Sequence, residues 1–576
     1  MKKIKLILNY LKKYKLYAIL APILIILEVI MELFLPNIMS NIINIGVANH
    51  DTNYVILYVI VMIGLTIVGV AGGLGSSYFA SKASENVAAD LRKDVFEKVT
   101  KLSFLNLEKI KPGHLLTILT NDISTVGHLI MMALRILIRV PVIFFGSIIM
   151  AFFIDVELAL IILIFIPIVF VLVLLILKKA FPYFNKMQEC VDDVNSIVRE
   201  NVSGIRVVKS FTMEEKEISR FDHTNKKLLN TTLKGIKLIT ISMPIMMFSI
   251  NLSTIIILWI GGNSVVSGRL LVGDIFAFSQ YTANILSSIM MASMVIMMAS
   301  RSIVSAERIN EVLESGEDFK DSDDAIEIEE MQGKIEFKNV SFSYEGGSGD
   351  AVLKDINFVI NPNERVAIVG AIGSGKSTLA SLIPRFYDIS SGEILIDDIP
   401  IKKIKVSSLR ENVGFAFQQA FMFSKTIKEN ICYGNSKASK DELELASNIS
   451  AASEFINSKE DKYDYVLEQR GVNLSGGQKQ RLAIARSILI NPKILILDDS
   501  TSAVDVKTAK QIKSGLEKYK KCTTLIITSR IAEALDADKV LVLDDGKIVG
   551  FDTPEKLLKG NKYYQDIYNS QLKEEE

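Results

Sequence analysis

Hydrophobic and polar positions divide the chain into two unlike halves. Before residue 310 the apolar residues gather in six runs, at 16–39, 54–80, 134–154, 158–177, 238–262 and 275–299, broken by few or no charges. About 20 mostly apolar residues suffice for a helix to cross the hydrocarbon core of a bilayer. Lipid offers the backbone no hydrogen-bond partner, and none of the runs alternates as a barrel strand does, so each is predicted to be a spanning helix. The polar segments 81–133 and 178–237 keep apolar residues at three-to-four spacing among charges, as in SENVAADLRKDVFEKVTKL (84–102). That spacing predicts helices that carry the spans beyond the membrane. SGEDFKDSDDAIEIEEMQG (315–333) is too acidic and polar to build a core and reads as a linker. From 334 to 576 short β-branched runs (KIEFKNVSFSY, NERVAIVG, KILILDDS, TTLIITS) alternate with helical patterns, which predicts an α/β domain around a largely parallel sheet.

Charge orients the first half. Segment 178–237 carries twelve Lys and Arg, whereas the turns near 46–53 and 155–157 carry none, so the long loops, both termini and the second half are predicted to be cytoplasmic. Over the whole chain 65 basic residues balance 65 acidic ones, which leaves no general field for nucleic acid; a polyanion must meet a local site. The basic start MKKIKLILNYLKKYK resembles a secretory signal, but the apolar run after it is too long and lacks a small-residue cleavage site, so it reads as a retained first span. Cys190, Cys432 and Cys522 stand at neither disulfide-framework nor zinc spacing and read as reduced thiols.

Four charges interrupt the spans. Glu28 and Glu32 lie one turn apart on the first, and Arg135 and Arg139 one turn apart on the third, so each pair shares a helix face. Such groups often mark a pathway; an ion pair that orients the bundle is the competing reading. Met243, Met246, Met247, Met290, Met291, Met294, Met297 and Met298 suit either a surface that repacks around varied apolar ligands or ordinary packing.

The second half carries the chemistry. Gly370-Ala371-Ile372-Gly373-Ser374-Gly375-Lys376-Ser377 fits G-x4-G-K-S, follows the strand VAIV and opens the helix STLASLIPRF, the context a phosphate-binding loop requires. Glycines let backbone amides close on phosphate oxygens, Lys376 reaches the β and γ phosphates of ATP, and Ser377 offers a hydroxyl to Mg2+. Ile494-Leu495-Ile496-Leu497-Asp498-Asp499 ends a second strand in two carboxylates, of which Asp498 is the expected Mg2+ partner.

Leu474-Ser475-Gly476-Gly477-Gln478-Lys479-Gln480-Arg481 lies twenty-four residues before Asp498, and with it the whole chain resembles the ATP-binding cassette (ABC) transporter superfamily. The resemblance implies six membrane helices plus a P-loop ATPase domain with a helical signature subdomain, over 1–314 and 334–576. It implies that Tyr344 stacks on adenine, that Gly370, Gly373, Ser374, Gly375, Lys376, Ser377 and Thr378 hold the phosphates, and that Gln418 joins Ser377 and Asp498 around Mg2+. Paired head to tail, a second half-transporter's ATP would meet Ser475, Gly476, Gly477 and Gln478, with Asp505 of the segment Ser502-Ala503-Val504-Asp505 beside it. Cytoplasmic stretches near 112–122 (PGHLLTILTND) and 204–216 (GIRVVKSFTMEEK) would dock on the ATPase domains.

Three positions depart from the family pattern. A glutamate usually positions the attacking water and a histidine usually serves as the switch residue; here they are Asp499 and Ser529, and Gln469 replaces a frequent glutamate before Arg470-Gly471. An aspartate carboxylate falls short of a glutamate's by roughly 1.5 Å, and displacements near 1 Å can cost about a hundredfold. The expectation is a site that binds ATP and hydrolyses it slowly, in a chain resembling the degenerate-site subunit of bacterial heterodimeric multidrug exporters. Its partner would carry the missing Glu and His, and its cargo would be an amphipathic drug-like or peptide-like compound. An ATP-gated channel-like protein, a homodimeric lipid flippase and a membrane-anchored P-loop kinase are the competing readings.

Overall fold

In the computed structural model the described residues are 2–315, 321–322, 324–344, 351–519 and 522–572, so part of the 315–333 linker lies outside them. The side chains of Met243, Met246, Met290, Met294, Met297 and Met298 also lie outside the description, while Met247 and Met291 are exposed. The chain forms two compact units, one of residues 1–100 and 113–314 and the other of 101–112 and 315–576.

In the first unit the main helices are α1 (Lys15–Asn41), α2 (Thr52–Lys101), α4 (Ile123–Ile154), α5 (Val156–Ser203), α6 (Glu214–Val266) and α7 (Val272–Glu314). The helix between α2 and α4, α3 (Phe104–Ile110), belongs to the second unit. Each of the six apolar runs falls within one of the long helices. Among the described residues, α1, α2, α4 and α6 hold stretches long and apolar enough to cross a membrane. The charged segment 84–101 continues α2 without a break, so its 50 residues extend about 75 Å at 1.5 Å per residue.

The bundle core gathers Val29, Leu33, Ile143, Phe278, Tyr281 and Ile285. Tyr281 is fully buried and satisfies its hydroxyl by donating to the Leu33 carbonyl at 2.6 Å. Of the four intramembrane charges, Arg139 donates to both Glu28 and Glu32, the latter at 2.6 Å, whereas Arg135 donates to Ser77 at 3.3 Å. The two glutamates thus share one guanidinium, the geometry of an ion pair between helices.

Of the stretch near 112–122, residues 113–122 belong to the first unit and Pro112 to the second. Residues 112–122 form the helical base of α4, where nearly buried Asp122 accepts from Arg308 at 2.6 Å and Ser305 at 2.8 Å, both on α7. A charge pair with one partner buried ties this stretch into the first unit. Within the second unit α3 is begun by Ser103, whose side chain accepts from the Asn106 amide. Phe104 meets Phe386 with ring centroids 4.7 Å apart, and Tyr387 donates to Glu108 at 2.8 Å.

The second unit holds two sheets. β1 (Ile335–Phe342), β2 (Leu353–Ile360), β4 (Ser391–Ile396) and β5 (Ile399–Pro400) form an antiparallel sheet in the order β2-β1-β4-β5. β3 (Arg365–Gly370), β6 (Val413–Ala416), β7 (Ile494–Asp498), β8 (Thr523–Ile527), β9 (Lys539–Asp544) and β10 (Lys547–Asp552) form the second, in the order β10-β9-β3-β8-β7-β6, parallel except at β10. Every residue of β7 and β8 is buried, as expected of parallel strands covered on both faces. One core, with Ile368, Leu379, Ile496 and Leu541, joins the sheets; another, with Met422, Ile431, Leu443, Phe455 and Leu482, builds a helical subdomain.

Candidate functional site

The loop from Gly370 to Gly375 leaves the end of β3 and turns into α8 (Lys376–Leu382). Gly375 adopts φ +97°, and a Cβ there would lie 2.8 Å from the Leu353 side chain, so both conformation and space call for glycine. Lys376 folds back across the loop and donates to the carbonyls of Gly370 at 2.9 Å and Ala371 at 2.7 Å. Burial pushes its amine pKa down, against the pull of Asp498 and Asp499. The Ser374 hydroxyl is buried with no partner among the described residues, and a Cβ on Gly373 would meet nothing within 4 Å. Such a cradle has room and donors for phosphate oxygens.

Ser377, at the start of α8, donates to Asp498 at 2.9 Å. β7 lies one strand from β3, across β8, so strand order brings these two together at the carboxyl edge of the sheet. Burial pushes the Asp498 carboxyl up, the Ser377 hydrogen bond opposes this, and Asp499 adds a smaller push upward. A hydroxyl and a carboxylate are hard oxygen ligands, which fits Mg2+. Asp499 turns the chain at φ +44° and accepts from the Gln418 side chain at 3.1 Å. Ser529 follows β8 by two residues and is exposed on the same edge. Tyr344, beyond β1, packs edge-on against Phe342 and Tyr387, and its hydroxyl lies 3.1 Å from that of Thr378.

The signature residues begin α9 (Gly476–Leu489). Ser475 caps it, accepting from the Gln478 amide at 3.3 Å while its own amide donates to the Gln478 side chain at 3.0 Å. This reciprocal box contributes about 1 kcal/mol to the helix start. A Cβ on Gly477 would stand 2.8 Å from the Ala503 carbonyl, so glycine lets the signature lie against the 502–505 loop. Gln480, to which sequence reasoning assigned no role, binds that loop: it accepts from the Ala503 amide at 3.0 Å and donates to Ser502 at 3.2 Å. Asp505 caps α10 (Val506–Lys518) by accepting from the Thr508 amide at 2.9 Å, and its pKa is lowered by that bond.

Two further groups were missed. Gln571 of α12 (Lys562–Leu572), which follows the short α11 (Ile531–Ala534), clasps the loop that holds Ser529. It donates to the Ser529 carbonyl at 2.7 Å and accepts from the Ile531 amide at 2.8 Å. Phe386 and Tyr387, which receive α3, had no role in the sequence reading: Phe386 closes the helical run STLASLIPRF and Tyr387 follows it. No local signal marks a residue whose partner is hundreds of positions away.

Comparison with known proteins follows the same division. The family described as ABC transporter transmembrane region matches residues 18–290, and the family described as ABC transporter matches residues 353–502. A Bacillus subtilis (strain 168) protein, "Uncharacterized ABC transporter ATP-binding protein YfiB", is 38% identical over 565 residues, 98% of each chain. An "ATP-dependent lipid A-core flippase" of Syntrophus aciditrophicus (strain SB) is 32% identical over 506 residues, 87% of this chain and 84% of that one. Among solved structures, a bacterial Atm1-family ABC exporter with ATP bound has the same fold, with a TM-score of 0.80 at 24% identity over 97% of this chain and 98% of that chain.

Proposed function

Because this chain belongs to the ABC transporter family, as an exporter-type half-transporter that couples ATP to transport, we propose that it is the subunit whose own site binds ATP and hydrolyses it slowly. One observation carries this reading. The nucleotide-binding groups Lys376, Ser377 and Asp498 converge at one sheet edge, while the two positions beside them that handle the attacking water are Asp499 and Ser529. Asp499 is one methylene shorter than glutamate, and its carboxylate is engaged by Gln418. Ser529 lacks the reach and the charge of an imidazole. Ser377 and Asp498, with Gln418 nearby, would hold Mg2+, which when bound would offset phosphate charge.

The complete signature, Ser475 to Gln478, would serve a partner's nucleotide, and we assign that partner the Glu and His absent here. ABC exporters work as dimers. The short helix Ile205–Ser210 and the residue after it expose Ile205, Val207 and Phe211, an apolar surface suited to a second half-transporter. Closure on ATP would bias the pair toward one state and hydrolysis would release it. The cargo class is an amphipathic drug-like or peptide-like compound. The relative named as a lipid A-core flippase supports a second reading, a homodimer that moves lipid.

Purified in nanodiscs, the chain alone should bind a fluorescent ATP analogue yet turn over ATP at least tenfold more slowly than when reconstituted with a half-transporter bearing the intact Glu and His. Equal turnover in both preparations would favour the homodimer.

A further inference from the structure

A cavity of about 570 Å3 lies in the ATPase unit between α10, the ends of β7 and β8, α11 and Gln571 of α12. None of the nucleotide-binding groups lines it. Its wall is apolar, from Leu497, Ile512, Ile526 and Ile531, and its volume suits a drug-sized molecule. Two residues of the lining carry donors buried beneath its wall. Ser500 is 3% exposed, and its hydroxyl has no hydrogen-bond partner among the described residues; nor has the buried Nε of Arg365, whose guanidinium has Glu517 only at 3.8 Å. The described lining also carries four basic side chains, Arg365, Lys510, Lys513 and Arg530, against two acidic ones, Glu533 and Asp536. Both acids are engaged, Glu533 by Thr501 at 2.7 Å and Asp536 by Lys513.

We propose that this cavity is a binding site for a small amphipathic carboxylate, its apolar body against α10 and its carboxylate beside the basic side chains Arg365, Lys510 and Arg530, and that occupancy alters nucleotide binding. The route is short. Ser500 and Thr501 directly follow Asp499, and Arg530 and Ile531 directly follow Ser529, so the cavity wall is continuous with both residues beside the phosphates. Arg530 also donates to the Ser502 carbonyl at 2.9 Å, linking the two loops across the cavity mouth. A ligand shifts nucleotide affinity only by its own difference in affinity for the two loop arrangements. The inference is independent of which chain completes the dimer.

The full chain in nanodiscs, irradiated with a diazirine-bearing decanoate and mapped by peptide mass spectrometry, should carry saturable label on residues 506–518 or 523–534, competed by unlabelled decanoate. Saturating decanoate should change the affinity for a fluorescent ATP analogue at least threefold, and its methyl ester should not. Ala509→Trp fills the cavity and Arg365→Gln removes one cation; each should cut labelling at least tenfold while leaving nucleotide affinity without decanoate unchanged. Label confined to the membrane helices, label indifferent to both variants, or an ester as potent as the acid would overturn the site. Cavity labelling with no change in nucleotide affinity would overturn the effector role.

Discussion

Asp498 and Asp499 are neighbours at the end of β7, yet their surroundings differ. Asp498 is buried against Ser377, and burial raises its pKa above the ordinary carboxylate value, whereas Asp499 is half-buried and held by Gln418. A carboxyl with a raised folded pKa keeps its proton to higher pH in the folded than in the unfolded chain. Its contribution to stability therefore falls as pH rises through that window, and the penalty is complete above it. Asp498→Asn should accordingly raise the melting midpoint without nucleotide at pH 7. A gain of about 1 kcal/mol corresponds to roughly 2–4 °C for a domain of this size. The gap should close as pH falls toward 4 in calorimetry, and the stabilisation by Mg2+ and ATP should disappear. At the neighbouring position, Asp499→Glu together with Ser529→His should raise ATP turnover by roughly a hundredfold if geometry alone limits it. A malachite-green phosphate assay on the single chain reads this directly, and an unchanged rate would show that another element limits hydrolysis.

Elements carry forces that single residues do not show. α3 rests on the ATPase unit through Phe104 on Phe386 and Glu108 on Tyr387, and it continues the chain of α2. Burial and then the Glu108 contact push the Tyr387 hydroxyl pKa up, so this bond is kept throughout the physiological range. Phe104→Ala should leave ATP-analogue binding within about twofold while vesicle transport falls at least fivefold; loss of both together would assign α3 a folding role instead. In the helical bundle, Arg139 serves Glu28 and Glu32 at once. Arg139→Ala would leave two carboxylates in an apolar setting, a change that costs about 3–5 kcal/mol for buried pairs and should appear as a lower unfolding midpoint and reduced yield. Replacing both glutamates by glutamine in that background should recover most of the loss.

At the scale of the molecule, the division into a helical unit and an ATPase unit was legible because membrane spans and parallel strands leave opposite hydrophobic patterns. The expectations for the phosphate loop, Asp498 and the signature come from local motifs at fixed spacing, and the fold brings Ser377 to within 2.9 Å of Asp498. The stretch near 112–122 was expected to dock from the family resemblance alone; that Asp122 within it pairs with Arg308, 186 residues away, left no mark in the sequence.

The sequence by itself determined the six long apolar helices, the strand-loop-helix setting of Gly370 to Ser377, and that Asp499 and Ser529 stand where the resemblance expects Glu and His. Tertiary structure alone decided that α3 packs on Phe386, which guanidinium the two glutamates share, that Gln480 holds the 502–503 loop and Gln571 the loop of Ser529, and that a cavity opens behind those loops. The physical reason is range. Periodicity and motif spacing act within a few turns of chain, whereas ion pairs, clasps and cavities are made by residues far apart in sequence that only the packed fold brings together.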